Sequence, residues 1–366
     1  MSPYPYKLDH LNELSVKYTG RGMTDSTGIY WCALSGSGFE CHFKGNYLSL
    51  TLCGGNASKT PDNDGNWARY AVYVNGMRTA EGLLDSFNSY KTVDIISCGS
   101  IEGIEADIKF IKLSECAMST LGIVSVEHDG EITATADKPL KLEVIGDSIT
   151  CGYGVDEYDP EKPFKTATED FTKGYAYKTA KLLDADVRAF SVSGWGIISG
   201  YVGSPDEAPH KDQLIPPYYT KLGFSYDKFG GDNDPAPQDI DHDFSCYVPD
   251  IIVVNLGTND NSWCTGHEER YSEYVKEYAK FLETVHNCNP SSKLLCVMGI
   301  MLDEIAPYME KAVEIFRERS GFEQIYTMRF TPQDGKLGYG ADWHPSPATH
   351  DRAAAALADK IRGIIK

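Results

Sequence analysis

The sequence has no long hydrophobic run and no excess of positive charge. No apolar stretch in its 366 residues approaches the roughly 20 residues that a membrane-spanning helix needs. Acidic residues (53) outnumber basic ones (34), and the formal net charge is -19. Such a charge repels nucleic acid and anionic membranes, so we expect neither as a partner. The N-terminal segment lacks a basic region followed by an apolar core, and we therefore expect a cytoplasmic protein, although a secreted form with its signal removed would look the same.

Cysteine is present but never arranged in close pairs. The ten cysteines are scattered without a CxxC motif, and several, such as Cys296, lie in apolar runs. Because zinc sites need paired ligands, we expect no metal ion and interpret these residues as reduced thiols of the core. The segment Asp62–Gly65 begins like a calcium loop, but the glutamate such a loop requires is replaced by Tyr73. We interpret that segment as a hairpin loop.

The first 135 residues are typical of an all-β domain. Short segments bounded by Gly, Asn and Asp follow one another, and two of them, ECHFKG and DIKFIK, alternate apolar with polar side chains as half-buried strands do. Asn75-Gly76 follows an apolar segment and predicts a tight hairpin. Six or more strands at this spacing predict a β-sandwich or jelly roll over residues 1–135.

Residues 136–366 form a second domain in which strands alternate with helices. The pattern predicts a three-layer α/β fold with a doubly wound parallel sheet of five strands, LKLEVIG, DVRAFSV, DIIVVNLG, KLLCVMGI and QIYTMRF. The clearest helix places Tyr274, Tyr278 and Leu282 on one face. Residues 200–248 have no clear period, and we interpret them as an ordered lid or an assembly surface, which is compatible with a homo-oligomer.

Four short polar blocks lie at strand ends or before the last helix. Because the carboxyl ends of parallel strands share one edge of the sheet, we expect the blocks to converge there. They are Gly146-Asp147-Ser148, Ser193-Gly194-Trp195-Gly196, Gly257-Thr258-Asn259-Asp260 and Asp342-Trp343-His344-Pro345.

The blocks contain the groups that acyl transfer requires. Ser148 supplies a hydroxyl nucleophile, and His344 can take its proton and return it to the leaving alcohol. The N–H groups of Ser148 and Gly194 and the side-chain amide of Asn259 can hold the developing oxyanion. Taken alone, Ser148 could equally be the N-cap of a helix that follows its strand.

The ordered set GDSIT, SGWG, GTND and DWHP resembles the four blocks of the SGNH (GDSL-type) hydrolases. The resemblance covers residues 140–366 and implies a flavodoxin-like sheet and a serine esterase without metal or cofactor. An N-terminal β-domain with YTGRG and SGSGFECHFKG makes the chain more narrowly similar to carbohydrate esterase family 2. That resemblance implies an acetyl xylan or mannan esterase, which removes O-acetyl groups from plant polysaccharides through an acetyl-enzyme on Ser148.

The chain departs from the SGNH pattern at the acidic member of the triad. The pattern places an acid three residues before the histidine, where this sequence has Ala341, whereas Asp342 lies two residues before His344. Either the Asp342 carboxylate turns back onto the ring as the orienting acid, or a backbone carbonyl orients it and a Ser–His dyad operates. We expect Asp147 and Asp260 to fix the loops by hydrogen bonding.

Three of the five tryptophans adjoin the blocks: Trp195, Trp263 and Trp343. Sugar rings stack on aromatic side chains through their apolar faces, so we expect Trp343 and one of the other two to bind an acetylated carbohydrate. Two other functions remain open: an SGNH lipase or thioesterase, and a catalytically silent carbohydrate-binding protein. A groove poor in tryptophan would favour the first, and an unreactive Ser148 the second.

Overall fold

The computed structural model describes residues 6–59, 65–85, 90–99, 103–231 and 233–365, which form two compact units. The first unit extends to Asp137 and also includes Lys165–Glu169 and Lys221–Ile240; the second comprises Lys138–Phe164, Asp170–Thr220 and the chain from Asp241 onward. Residues 200–248 therefore contribute to both units. The proposed hairpin loop at residues 62–64 lies outside the described residues.

The described part of the first unit is built from short strands. They are β1 (Lys7–Asp9), β2 (Lys17–Thr19), β3 (Gly22–Thr24), β4 (Tyr30–Cys32), β5 (Gly38–Gly45), β6 (Tyr47–Gly54), β7 (Arg69–Val74), β8 (Met77–Leu83), β9 (Tyr90–Ser97), β10 (Ile104–Lys112), β11 (Leu121–His128) and β12 (Glu131–Ala134).

These strands form two antiparallel sheets. One has the order β3-β4-β11-β6-β9 with β1 beside β11, and the other β12-β5-β10-β7-β8 with β2 beside β5. The predicted alternation is confirmed in β5, where Phe39 and Phe43 are buried and Lys44 is exposed. The hairpin is confirmed too, because Asn75 and Gly76 connect β7 to β8 with φ of 49° and 77°. Apolar side chains of both sheets share one core, as in a β-sandwich.

The second unit has the alternating elements that the sequence predicts. Its strands are β13 (Leu140–Gly146), β14 (Ala185–Ser191), β15 (Ile251–Asn255), β16 (Lys293–Met298) and β17 (Ile325–Arg329). Its helices within the described residues are α1 (Ser148–Cys151), α2 (Tyr175–Leu183), α3 (Thr258–Cys264), α4 (Glu268–Cys288), α5 (Ala306–Ser320) and α6 (Pro347–Ile365).

The five strands pair in parallel in the order β14-β13-β15-β16-β17, which confirms the doubly wound sheet. All five residues of β15 are buried, as a strand covered on both faces requires. The helix α2 packs with α6, and α4 packs with α5. Among the described residues, no helix combines the length and apolarity needed to cross a membrane.

Candidate active site

Ser148 lies two residues after the end of β13, an inner strand of the parallel sheet, and is the first residue of α1. Asp147 is the N-cap of this helix, since its carboxylate accepts a hydrogen bond of 3.0 Å from the Ile149 N–H. The alternative interpretation of Ser148 as the N-cap is therefore wrong. Because Asp147 fills the capping position, the Ser148 hydroxyl is left for a different partner.

That partner is His344, which precedes α6. The Ser148 Oγ and His344 Nε2 atoms are 2.8 Å apart, and His344 Nδ1 lies 3.1 Å from the backbone carbonyl oxygen of Asp342. A carbonyl oxygen can only accept, so Nδ1 carries the hydrogen and the Nε2 lone pair faces the serine hydroxyl. Burial of the ring lowers the pKa of His344 to about 4, and the imidazole is therefore a neutral base at pH 7.

Of the two alternatives for orienting the histidine, the structure shows the backbone carbonyl, and the candidate role of the Asp342 carboxylate as the orienting acid is wrong. The carboxylate accepts hydrogen bonds from the Tyr153 hydroxyl (2.7 Å) and the Phe164 N–H (2.9 Å). The reason is conformational: Asp342 and Trp343 have φ of 48° and 61°, so the chain turns the Asp342 carbonyl toward His344 and its side chain elsewhere. The arrangement is a Ser–His dyad whose base is oriented by a carbonyl group.

Position 341, where the SGNH pattern has its acid, is occupied by a fully buried alanine. Ala341 donates its N–H to the Gly154 carbonyl at 3.1 Å, and a methyl group placed on Gly154 would come within 2.5 Å of the Ala341 Cβ. The two backbones are therefore in close contact at this point.

The structure places the three expected oxyanion donors after neighbouring strands. Gly194 follows β14, and its φ of 79° together with the open space beside its Cα explains a glycine there. Asn259 lies in the first turn of α3, where its Nδ2 donates to the Trp195 carbonyl at 2.8 Å and to Asp147 at 3.4 Å. The bond to Asp147 is the longer and therefore the weaker of the two. An oxyanion can replace Asp147 as the acceptor of that N–H.

Asp260 ties α3 to the loop that carries Gly194. Its carboxylate accepts hydrogen bonds from the N–H groups of Ile197 (2.9 Å), Ile198 (2.6 Å) and Ser199 (3.2 Å). Burial raises the pKa of Asp260 to about 6, and burial with the neighbouring Asp260 charge raises the pKa of Asp147 to about 7. The Asp260 carboxylate thus holds a loop, as the sequence predicts, whereas the Asp147 carboxylate caps the helix α1.

Only one of the three tryptophans has an accessible ring. Trp343 is 53% exposed and makes an edge contact with Tyr339, their ring centroids lying 5.2 Å apart. Trp195 is 1% exposed and packs on Tyr218, so its predicted role in substrate binding is corrected to one in the core.

Trp263 is corrected in the same way. It is 8% exposed, and the charged groups of Arg270 and Lys211 lie 4.4 and 5.1 Å from its ring centroid. A ring that is this deeply buried has little surface on which a sugar could stack.

Sequence reasoning missed Tyr153, whose ring stacks on His344 at a centroid distance of 4.0 Å. The only signal was its place five residues after Ser148 in the same block. In the described part of the chain, neither Ser148 nor His344 belongs to a cluster of side chains able to hold a metal ion.

A model of the GDSL-like lipase/acylhydrolase family matches residues 144–352, a span that contains both members of the dyad and more than half of the chain. The chain belongs to this family. The fold agrees with the assignment, since the matched residues form the parallel sheet and the loops at its carboxyl edge.

Relatives of this chain include the cellulase/esterase CelE of Acetivibrio thermocellus, which is 31% identical over 355 residues. The match covers 95% of this chain and 39% of CelE. An acetylxylan esterase/glucomannan deacetylase of Cellvibrio japonicus is 29% identical over 227 residues, covering 62% of this chain and 57% of that enzyme. The chain thus spans less than two thirds of the length of these curated relatives.

Among solved structures, this chain is similar to family 2 carbohydrate esterases in sequence and fold. A family two carbohydrate esterase of Clostridium thermocellum, in complex with cellohexaose, is 29% identical, with a TM-score of 0.80 and coverage of 96% of this chain and 99% of that chain. The acetyl xylan esterase Est2A of Butyrivibrio proteoclasticus shares the fold at a TM-score of 0.85, with 21% identity and 98% coverage of both chains.

Proposed function

We propose that this chain is a serine esterase that removes O-acetyl groups from plant polysaccharides or oligosaccharides, such as acetylated xylan or mannan. The hydrogen bond between Ser148 Oγ and His344 Nε2 carries the proposal, because it joins a nucleophile to a neutral base at the carboxyl edge of the sheet. The family and the names of the related esterases support it.

The geometry gives each residue a step in ester hydrolysis. His344 takes the proton of the Ser148 hydroxyl while Oγ attacks the acetyl carbonyl. The resulting oxyanion is held by the N–H groups of Ser148 and Gly194 and the Asn259 amide. His344 then protonates the departing sugar oxygen, which leaves an acetyl group on Ser148. A water molecule, deprotonated by His344, releases acetate by the reverse steps.

A carbohydrate substrate fits the surroundings of the dyad. The exposed ring of Trp343 is adjacent in sequence to His344 and offers a flat apolar face, and Tyr339 lies at its edge. A net charge of -19 suits a neutral glycan better than an anionic one.

The test is acetate release from acetylated xylan and acetylated mannan by the wild type and by Ser148→Ala. We expect release by the wild type only, with the faster glycan identifying the substrate. Cleavage of an aryl acetate without acetate release from either glycan would support the esterase activity and contradict the polysaccharide substrate. No hydrolysis of any ester, with no labelling of Ser148 by a fluorophosphonate, would contradict the proposal.

A further inference from the structure

Three rings form a continuous stack behind the catalytic dyad. His344 and Tyr153 have centroids 4.0 Å apart with planes inclined by 28°, and Tyr153 and Phe164 lie 4.2 Å apart with an inclination of 21°. One face of the imidazole is thus covered by the phenol ring. The phenol ring is fixed in turn by Phe164.

Asp342 holds the stack together from both ends. Its carbonyl accepts from His344 Nδ1, while one oxygen of its carboxylate accepts from the Tyr153 hydroxyl (2.7 Å) and from the Phe164 N–H (2.9 Å). Asp342 therefore contacts the base through its backbone carbonyl, and it contacts Tyr153, the stacking partner of the base, through its side chain.

We propose that Tyr153 is a positioning residue for His344, and that the Asp342 carboxylate acts on the base through the Tyr153 hydroxyl. The inference rests on the proposed function, because it concerns the same dyad. A single hydrogen bond at Nδ1 does not fix the tilt of the ring, and the stack supplies the missing constraint.

The stack also favours the charged form of the base. When the Ser148 O–H bond breaks and the Nε2–H bond forms, the imidazole becomes a cation against the electron-rich face of a phenol. The hydrogen bond from the hydroxyl to a carboxylate adds electron density to that ring. His350, which interacts electrostatically with His344, is neutral at pH 7, since burial lowers its pKa to about 3.

The experiment compares Tyr153→Phe, Asp342→Asn and their double variant in the hydrolysis of 4-nitrophenyl acetate from pH 3.5 to 8, followed at the isosbestic wavelength of 4-nitrophenol. We expect each single change to lower kcat about fivefold with KM nearly unchanged. Asp342→Asn removes the charge of the acceptor, and Tyr153→Phe removes the donor of the same hydrogen bond. The double variant should therefore lose no more than the worse single one.

A second variant separates the stack from the hydroxyl. Tyr153→Leu removes the ring, and we expect a loss in kcat of about twentyfold, most of which Tyr153→Phe restores. Tyr158→Phe is the matched control, since its side chain is 75% exposed on the same loop and should leave kcat unchanged. Losses that add in the double variant, or losses confined to KM, would overturn the inference.

A titration of the histidine rings by NMR tests the inference without any ester being hydrolysed. A negative result would therefore contradict the role of Tyr153 without contradicting the proposed esterase activity. Both single changes should lower the His344 pKa, and the double change should lower it no further. An unchanged His344 pKa in Tyr153→Phe would contradict the contact even in an enzyme that hydrolyses esters.

Discussion

At the residue scale, sequence reasoning identified both members of the dyad. It could not identify the contact between the Asp342 carbonyl and His344. The pairing of Ser148 with His344 follows from their places in strand-end blocks. The role of Asp342 does not follow, because it depends on a left-handed backbone conformation at a residue other than glycine. The burial of Trp195 could not be predicted either. Its position next to a polar block does not determine whether its side chain points to the surface or into the core.

The amide of Asn259 gives the first test at this scale. Asn259→Ala removes one oxyanion donor, and we expect kcat on an aryl acetate to fall about 100- to 1,000-fold with little change in KM. Asn261→Ala, on the same helix but bonded to the Tyr271 hydroxyl, is the matched control and should retain kcat. A loss below tenfold would mean that the amide does not hold the oxyanion.

The pKa of His344 gives a second test. Since the base must be neutral and its pKa is lowered to about 4, kcat/KM should stay level from pH 8 to about 5 and fall tenfold per unit below pH 4. A circular dichroism spectrum at pH 4 equal to that at pH 7 would exclude acid unfolding as the cause. An acid limb near pH 6.5 would show that the ring is not desolvated.

At the scale of elements, the strands, the helices and the edge where the blocks meet could be predicted from periodicity and order. The last helix, α6 (Pro347–Ile365), follows the fourth polar block, as the sequence analysis places it. The segment 200–248 could not be divided, because its membership in two units depends on long-range packing rather than on any period. The sequence predicted that Asp260 holds a loop, but not which one. The N–H groups that it binds, those of Ile197, Ile198 and Ser199, are known only from the structure.

Asp260 carries the prediction at this scale. Asp260→Asn replaces a carboxylate that accepts three N–H groups by an amide that also presents donors to them. We expect a loss of about 1–3 kcal/mol in the free energy of unfolding at pH 7.5, with reduced kcat. Urea unfolding of Asp260→Asn and of the exposed control Asp359→Asn measures the difference. Equal stability of the two variants would contradict a role in holding the loop.

At the scale of the whole molecule, buried ionisable groups influence stability in opposite directions. Asp147 and Asp260 have raised pKa values, so they lose stabilisation as the pH rises from about 4 to 7. His344 and His350 have lowered pKa values, so they destabilise the fold as the pH falls from about 6.5 to 4. The two effects offset each other between pH 4 and 7.

His350 tests this balance. It accepts a hydrogen bond from the Tyr175 N–H at 3.1 Å, which glutamine can retain. Because the wild type resists protonation of His350 at low pH, we expect His350→Gln to cost less stability at pH 4 than at pH 7. Denaturant unfolding at both values measures the difference. A cost independent of pH would show that His350 titrates alike in the folded and unfolded chain.

The close contact between Ala341 and Gly154 constrains the evolutionary history of this active site. An acid at the usual place, three residues before the histidine, would have to replace a buried methyl group pressed against another backbone. It would meet a collision and an uncompensated charge before it could reach the imidazole. An acid placed at position 341 alone would therefore not restore a conventional triad while the Gly154 loop keeps this conformation.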